Sequence, residues 1–185
     1  MKKVVLVILV LFLCGCAKNT EHTKDVLSLR QELLSGNGCY FLAEITADYE
    51  EELYMFTLEC TADKQGDLTF CVVAPERISG ITGKIDQTNG ALTFDDQVLL
   101  FDTLNEEQLT PVSAPYIFLK TLRSGYVHGC GRDGDLAFWR MDDSYRDQAY
   151  QVEIWANDQN IPVRSEILWK GRRILSISVK EFRIL

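Results

Sequence analysis

The residues best equipped for chemistry in this 185-residue chain are two histidines, six cysteines and three acidic clusters. His22 stands in a polar run near the N-terminus. His128 stands two residues before Cys130, on the same face of a predicted strand. A His-x-Cys pair is able to ligate a metal or to activate a thiol. A metal needs further ligands, and Cys39, Cys60, Cys71 and Cys130 show neither CxxC nor zinc-type spacing. Strand packing is therefore the better reading, with no metal and no cofactor expected. Glu50-Glu51-Glu52, Asp95-Asp96 and Asp142-Asp143 fall at predicted turns, whereas acid–base catalysis needs two carboxylates held across a cleft. The chain has no G-x-S-x-G, P-loop or dinucleotide fingerprint. It is not expected to be an enzyme.

The N-terminus carries a different chemistry. Met1-Lys2-Lys3 is basic, and Val4 to Leu13 is an apolar run too short to span a bilayer, which needs roughly 20 residues. Leu13-Cys14-Gly15-Cys16 follows, and this resembles the lipobox of bacterial lipoproteins. The resemblance implies a signal peptide over 1–15 and a diacylglyceryl group on Cys16, which becomes the first mature residue. A single acyl chain binds a membrane marginally and two bind it stably. Residues 16–24 then read as a lipidated tether and 25–185 as a single domain, at the outer face of the bacterial cytoplasmic membrane. The full chain holds 19 basic and 27 acidic residues, net −8; losing Lys2 and Lys3 with the signal takes this to −10. That argues against nucleic acid as a partner.

Behind the tether, Val26, Leu29 and Leu33 recur at helical spacing over 25–35, with Leu27 and Leu34 broadening the stripe, and Gly36 and Gly38 stop it. From Cys39 the period becomes two. Phe41, Ala43, Ile45 and Ala47 share one face, and Tyr54, Phe56, Leu58 and Cys60 share the matching face of a hairpin. A turn near 49–51 places Cys39 and Cys60 either opposite or diagonal, so they form a possible disulfide or two buried thiols. Further strands are expected over 68–74, 78–85 (bent at Gly80 and Gly83), 91–94 and 98–101. Residues 102–113 read as loop. Ser113 is the expected N-cap of a helix over 114–124 that Gly125 closes. Strands resume over 126–130, 136–141, 148–155, 162–169 and 173–182. The connections are short, so the fold class is α+β, mostly β: one large curled antiparallel sheet, an unclosed half-barrel, with helices covering its concave face.

Several stretches carry a family resemblance: Tyr40-Phe41-Leu42-Ala43-Glu44-Ile45, Val73 to Ile85 with Gly80 and Gly83, Gly90 to Asp95, Val152 to Asn157 and Ile161 to Glu166. Their order behind an N-terminal helix resembles the LolA/LppX superfamily of lipoprotein carriers and lipid-binding lipoproteins, most nearly its GerS-type spore-germination branch. The resemblance implies an unclosed barrel plugged by helices and no catalytic motif. It implies two modes of action. One is a non-catalytic scaffold for a cell-wall amidase of the spore cortex; the other is a carrier of lipid or lipoprotein acyl chains in the concave cavity. The large side chains available to line such a cavity or an interface are Phe41, Phe56, Phe70, Tyr116, Phe118, Leu122, Trp139, Trp155 and Trp169. Plain core or sheet-edge packing is the alternative for each.

Overall fold

The computed structural model describes residues 20–49, 52–95, 97–102 and 110–185. The signal peptide and Cys16 lie outside the described residues. Helix α1, Thr20–Ser35, begins inside the expected tether, five residues before the expected start. Val26, Leu29 and Leu33 are its buried stripe; Leu27 and Leu34 are half-exposed, so the stripe is narrower than the sequence pattern suggests. Gly36 N–H donates to Glu32 O at 2.9 Å and ends the helix. Gly38 then has φ +145, and a Cβ there would lie 2.0 Å from Ala62 O, so only glycine fits.

Eleven strands follow: β1 Gly38–Asp48, β2 Leu53–Asp63, β3 Leu68–Ala74, β4 Thr82–Ile85, β5 Asn89–Phe94, β6 Gln97–Asp102, β7 Tyr126–Asp133, β8 Leu136–Asp142, β9 Gln151–Ala156, β10 Pro162–Trp169 and β11 Arg172–Ile184. They form one antiparallel sheet in the order β6-β5-β4-β3-β2-β1-β11-β10-β9-β8-β7. One meander runs outward from β1 and the other runs inward to β11. The β1–β11 pair joins them, with Ile45 opposite Ile177. The expected bent strand over 78–85 is instead a 3-10 turn at Glu76–Ile78 followed by the short β4.

β6 and β7 are opposite edges of the sheet, so the chain between them must cross its open side. Helix α2, Ala114–Ser124, lies in that crossing. It buries Ala114, Pro115, Ile117, Phe118, Leu119, Thr121 and Leu122. It packs on β10 and β11, while α1 packs on α2, β7 and β1. Ser113 stands at the N-cap of α2 as expected, but its side chain makes no cap hydrogen bond: its hydroxyl donates back to Thr110 O at 2.7 Å. Gly125 ends the helix with an extended backbone; a Cβ there would sit 2.6 Å from Asp142 O. Close approach to β8, and not a left-handed cap, sets the glycine. Among the described residues no helix is long and apolar enough to cross a membrane.

Candidate functional site

The concave face is built from aligned rows of side chains, because directly opposed residues of antiparallel strands point to the same side. One row runs Cys130, Trp139, Ile154, Ser165, Ile177, Ile45 and Phe56 across β7, β8, β9, β10, β11, β1 and β2. α2 closes over this wall. Phe118 meets Phe41 edge-on at 5.7 Å between ring centroids, and Phe41 stacks on Phe182 at 6.1 Å. Phe41, Phe118, Trp139 and Leu122 are all at most 1% exposed. Phe70 lies across Gly83, where a Cβ would meet its ring at 2.4 Å. In this region the protein's own side chains fill the concave layer.

Two buried polar atoms interrupt that apolar layer: Trp139 Nε1 and Ser165 Oγ have no hydrogen-bond partner among the described residues. They stand two strands apart in one row, separated by Ile154.

The other expected lining residues separate. Phe56 is partly buried and stacks on Tyr54 at 6.4 Å, toward the β1–β2 hairpin. Tyr116 is half-buried; desolvation, then the negative field of Asp67 and Asp86, raises its phenol to about 12. Trp169 pairs with Tyr150 at 5.1 Å at the end of β10. Trp155 points the other way. Strand alternation sends Ile154 inward and Trp155 to the convex face, between Phe138 at 5.1 Å and the Arg164 guanidinium at 4.5 Å. Its indole N–H donates to Asp133 Oδ2 at 2.8 Å. It therefore lines no cavity on the concave side.

The reactive groups do not converge. The β1–β2 register places Cys39 opposite Ala62 and Cys60 opposite Phe41, so the two cysteines are diagonal; both are free thiols. Burial raises both, Cys39 to about 11 and Cys60 further, so neither is a thiolate at neutral pH. The His128–Cys130 pair does not share a face. A bulge between Val127 and Gly129 shifts the alternation. Cys130 faces inward beside Trp139, while His128 Nε2 meets Asp142 Oδ2 at 2.5 Å on the convex side. Asp143 instead pairs with Lys120 at 2.9 Å and accepts from Tyr150 N–H, so the two neighbouring carboxylates serve different contacts. No cluster of three metal-ligating side chains occurs among the described residues.

Sequence reasoning missed two arginines that lock the helices together. Arg30 of α1 donates to Leu122 O at 2.9 Å, Gly125 O at 2.7 Å and Thr121 O at 3.4 Å, capping the C-terminus of α2. Arg123 of α2 returns the contact to Leu33 O at 3.1 Å and reaches Lys64 O at 2.7 Å. Cationic donors suit the negative end of a helix. An arginine beside Leu29 on a predicted helix is a weak signal, and its partner some 90 residues away leaves none.

Toward β5 and β6 no helix among the described residues packs extensively on the concave face. Leu92 is only partly buried, and Phe94 and Leu99 are exposed. On the convex side of the same wing a trough of about 450 Å³ lies among Glu59, Thr61, Thr69, Thr82, Lys84 and Thr93.

An unclosed eleven-strand sheet with two plugging helices matches a putative outer membrane lipoprotein-sorting protein domain from Vibrio parahaemolyticus. The match has a TM-score of 0.51 at 9% identity and covers 86% of this chain and 90% of that one. The fold is the LolA-like open barrel. An uncharacterized conserved protein from Thermus thermophilus is similar at TM-score 0.49 and 13% identity, covering 88% and 87% of the two chains. A LolA superfamily protein from Nitrosomonas europaea follows at 0.46 and 7%, covering 86% and 93%. No protein-family model and no curated protein matches the sequence.

Proposed function

We propose that this LolA-like domain is a non-catalytic binding module, held at the outer face of the cytoplasmic membrane by a lipid on Cys16. Its partner is a protein of the cell envelope. The observation that carries this reading is the filled concave layer: Phe41, Phe118, Leu122 and Trp139 occupy with their own rings and branches the space an acyl chain would need. The partner we favour is a cell-wall amidase acting on the spore cortex, on the strength of the GerS-like sequence stretches. A second reading, carriage of lipid or lipoprotein acyl chains, draws support from the apolar concave surface at Phe94 and Leu99, exposed beside the partly buried Leu92. It also draws support from the sorting protein that shares the fold.

Native mass spectrometry of the full chain, extracted in mild detergent from producing cells, separates the two. The binding reading expects the mass of the polypeptide with its own anchor, together with a stoichiometric amidase. A further lipid released only on unfolding, with no protein partner, overturns it. Replacement of Cys16 with Ser is expected to release the chain from membranes; persistent attachment contradicts the anchor.

A further inference from the structure

Among the described residues the sheet has two unpaired edges, β6 and β7, and they are guarded differently. β7 carries His128, Gly129, Gly131 and Arg132 and is bulged between Val127 and Gly129. Bulges and charged side chains are the usual means of stopping an edge from pairing with another chain. β6 has neither. Its pairing with β5 runs without a shift from Gln97 to Asp102, and it contains no lysine, arginine or proline. Val98, Leu99 and Leu100 are 61%, 64% and 72% exposed. The register puts Leu99 on the concave face beside Leu92, and Val98 and Leu100 on the convex face beside Thr93 and Ala91. A free strand backbone is thus flanked by apolar side chains above and below. Acidic residues bracket it: Asp95-Asp96 precede the strand and Asp102 ends it.

We propose that β6 is a docking edge for an extended segment of a partner protein, apolar at its centre and flanked by lysine or arginine at both ends. The outward N–H and C=O groups of alternate β6 residues supply main-chain hydrogen bonds, and the side chains on either face supply the apolar grip. The bracketing aspartates select the charge of the flanks. A second copy of this chain fits poorly. Antiparallel pairing of β6 with itself brings the Asp95 end of one copy toward the Asp102 end of the other, and like charges facing across a ladder oppose pairing. The net charge of −8 adds to that repulsion. The inference rests on the binding reading above and names the surface and the chemistry of its partner.

The probe is a fluorescein-labelled peptide, Lys-Lys-Val-Thr-Val-Thr-Val-Lys-Lys, titrated with the full chain in detergent and read by fluorescence anisotropy. Two control peptides carry glutamate in place of lysine, or proline in place of the central valine. The lysine peptide is expected to bind at least about tenfold tighter than either control. Leu100→Lys in the protein is expected to remove that advantage while its melting curve stays unchanged. Absence of lysine-peptide binding overturns the proposal. So does equal binding of the proline peptide, which retains the charge but cannot pair. Self-association of the chain alone, abolished by Leu100→Lys, assigns the edge to a second copy and also overturns it. If the Leu100→Lys chain still retains its envelope partner in co-purification, the docking edge is wrong and the binding reading stands.

Discussion

β1, β7, β10 and β11 pack against the two helices, while β4–β6 extend beyond them as a wing. In the covered half, alternation buries Ile45, Trp139, Ile154 and Ile177, and their strand neighbours face solvent or the convex layer. In the wing Ile85 of β4 is still buried, whereas β5 and β6 expose Phe94 and Leu99 on the concave face and Val98 and Leu100 on the convex one. The difference traces to what crosses the sheet. α2 rests on β10 and β11, and Arg30 and Arg123 fasten α1 to α2 through backbone carbonyls. Neither helix packs extensively on β4, β5 or β6 among the described residues. A strand pair buried on one side only contributes little stability beyond its ladder, and such segments open locally at lower free energy than the body they adjoin. The covered half is built to persist, and the wing is built to be met.

The largest expected effect comes from emptying the covered half. Phe118→Ala removes the ring that bridges α2 to Phe41 and should cost about 3–5 kcal/mol in urea unfolding. Arg30→Ala leaves the α2 carbonyls without their cationic donor; a loss of about 2–3 kcal/mol is expected, read the same way. Gly83→Ala acts where the wing joins the body. Its new methyl collides with Phe70, and a loss of about 1–2 kcal/mol is expected in the same unfolding curves. Above pH 9 the unfolded chain ionises its thiols, whereas burial keeps Cys39 protonated to about 11. Stability held below pH 9 should therefore fall as the pH rises through that window, and replacing Cys39 and Cys60 with Ala should flatten the fall. Leu99→Ala in the wing is expected to stay within about 0.5 kcal/mol of the parent, since its side chain is already exposed. A Leu99→Ala loss as large as that of Phe118→Ala would erase the distinction between the two halves.

Much of the fold was legible because period-two patterning is local. The faces of β1, β2 and β3 and the stripe of α2 follow directly from Phe41 to Ala47, Tyr54 to Cys60, Leu68 to Val72, and Phe118 with Leu122. Even the hairpin register was narrowed to two choices, and the observed one makes Cys39 and Cys60 diagonal. Three of the departures from expectation show a local pattern being outvoted. The bulge at Gly129 split His128 from Cys130, because one extra residue reverses every face beyond it. Trp155 is large enough to line a cavity or an interface, and its place between Ile154 and Ala156 puts it on the convex side, away from the concave layer. Tether residues 20–24 lack apolar period but continue the helix that Val26 begins. The candidate site was less legible than the fold. The Arg30 and Arg123 contacts span roughly half the chain in sequence, and the exposure of β6 depends on where α2 comes to rest.

Amide hydrogen exchange, measured on the full chain alone and with the lysine-flanked peptide, tests the division of labour most directly. The account predicts slow exchange in β1, β9, β10 and β11 in both states, faster exchange in β4–β6 of the free chain, and new protection confined to alternate amides of 97–102 on binding. Uniform protection across the sheet in the free chain would contradict it. So would loss of protection in α1 and α2 on binding, since that would mean the ligand enters beneath the helices.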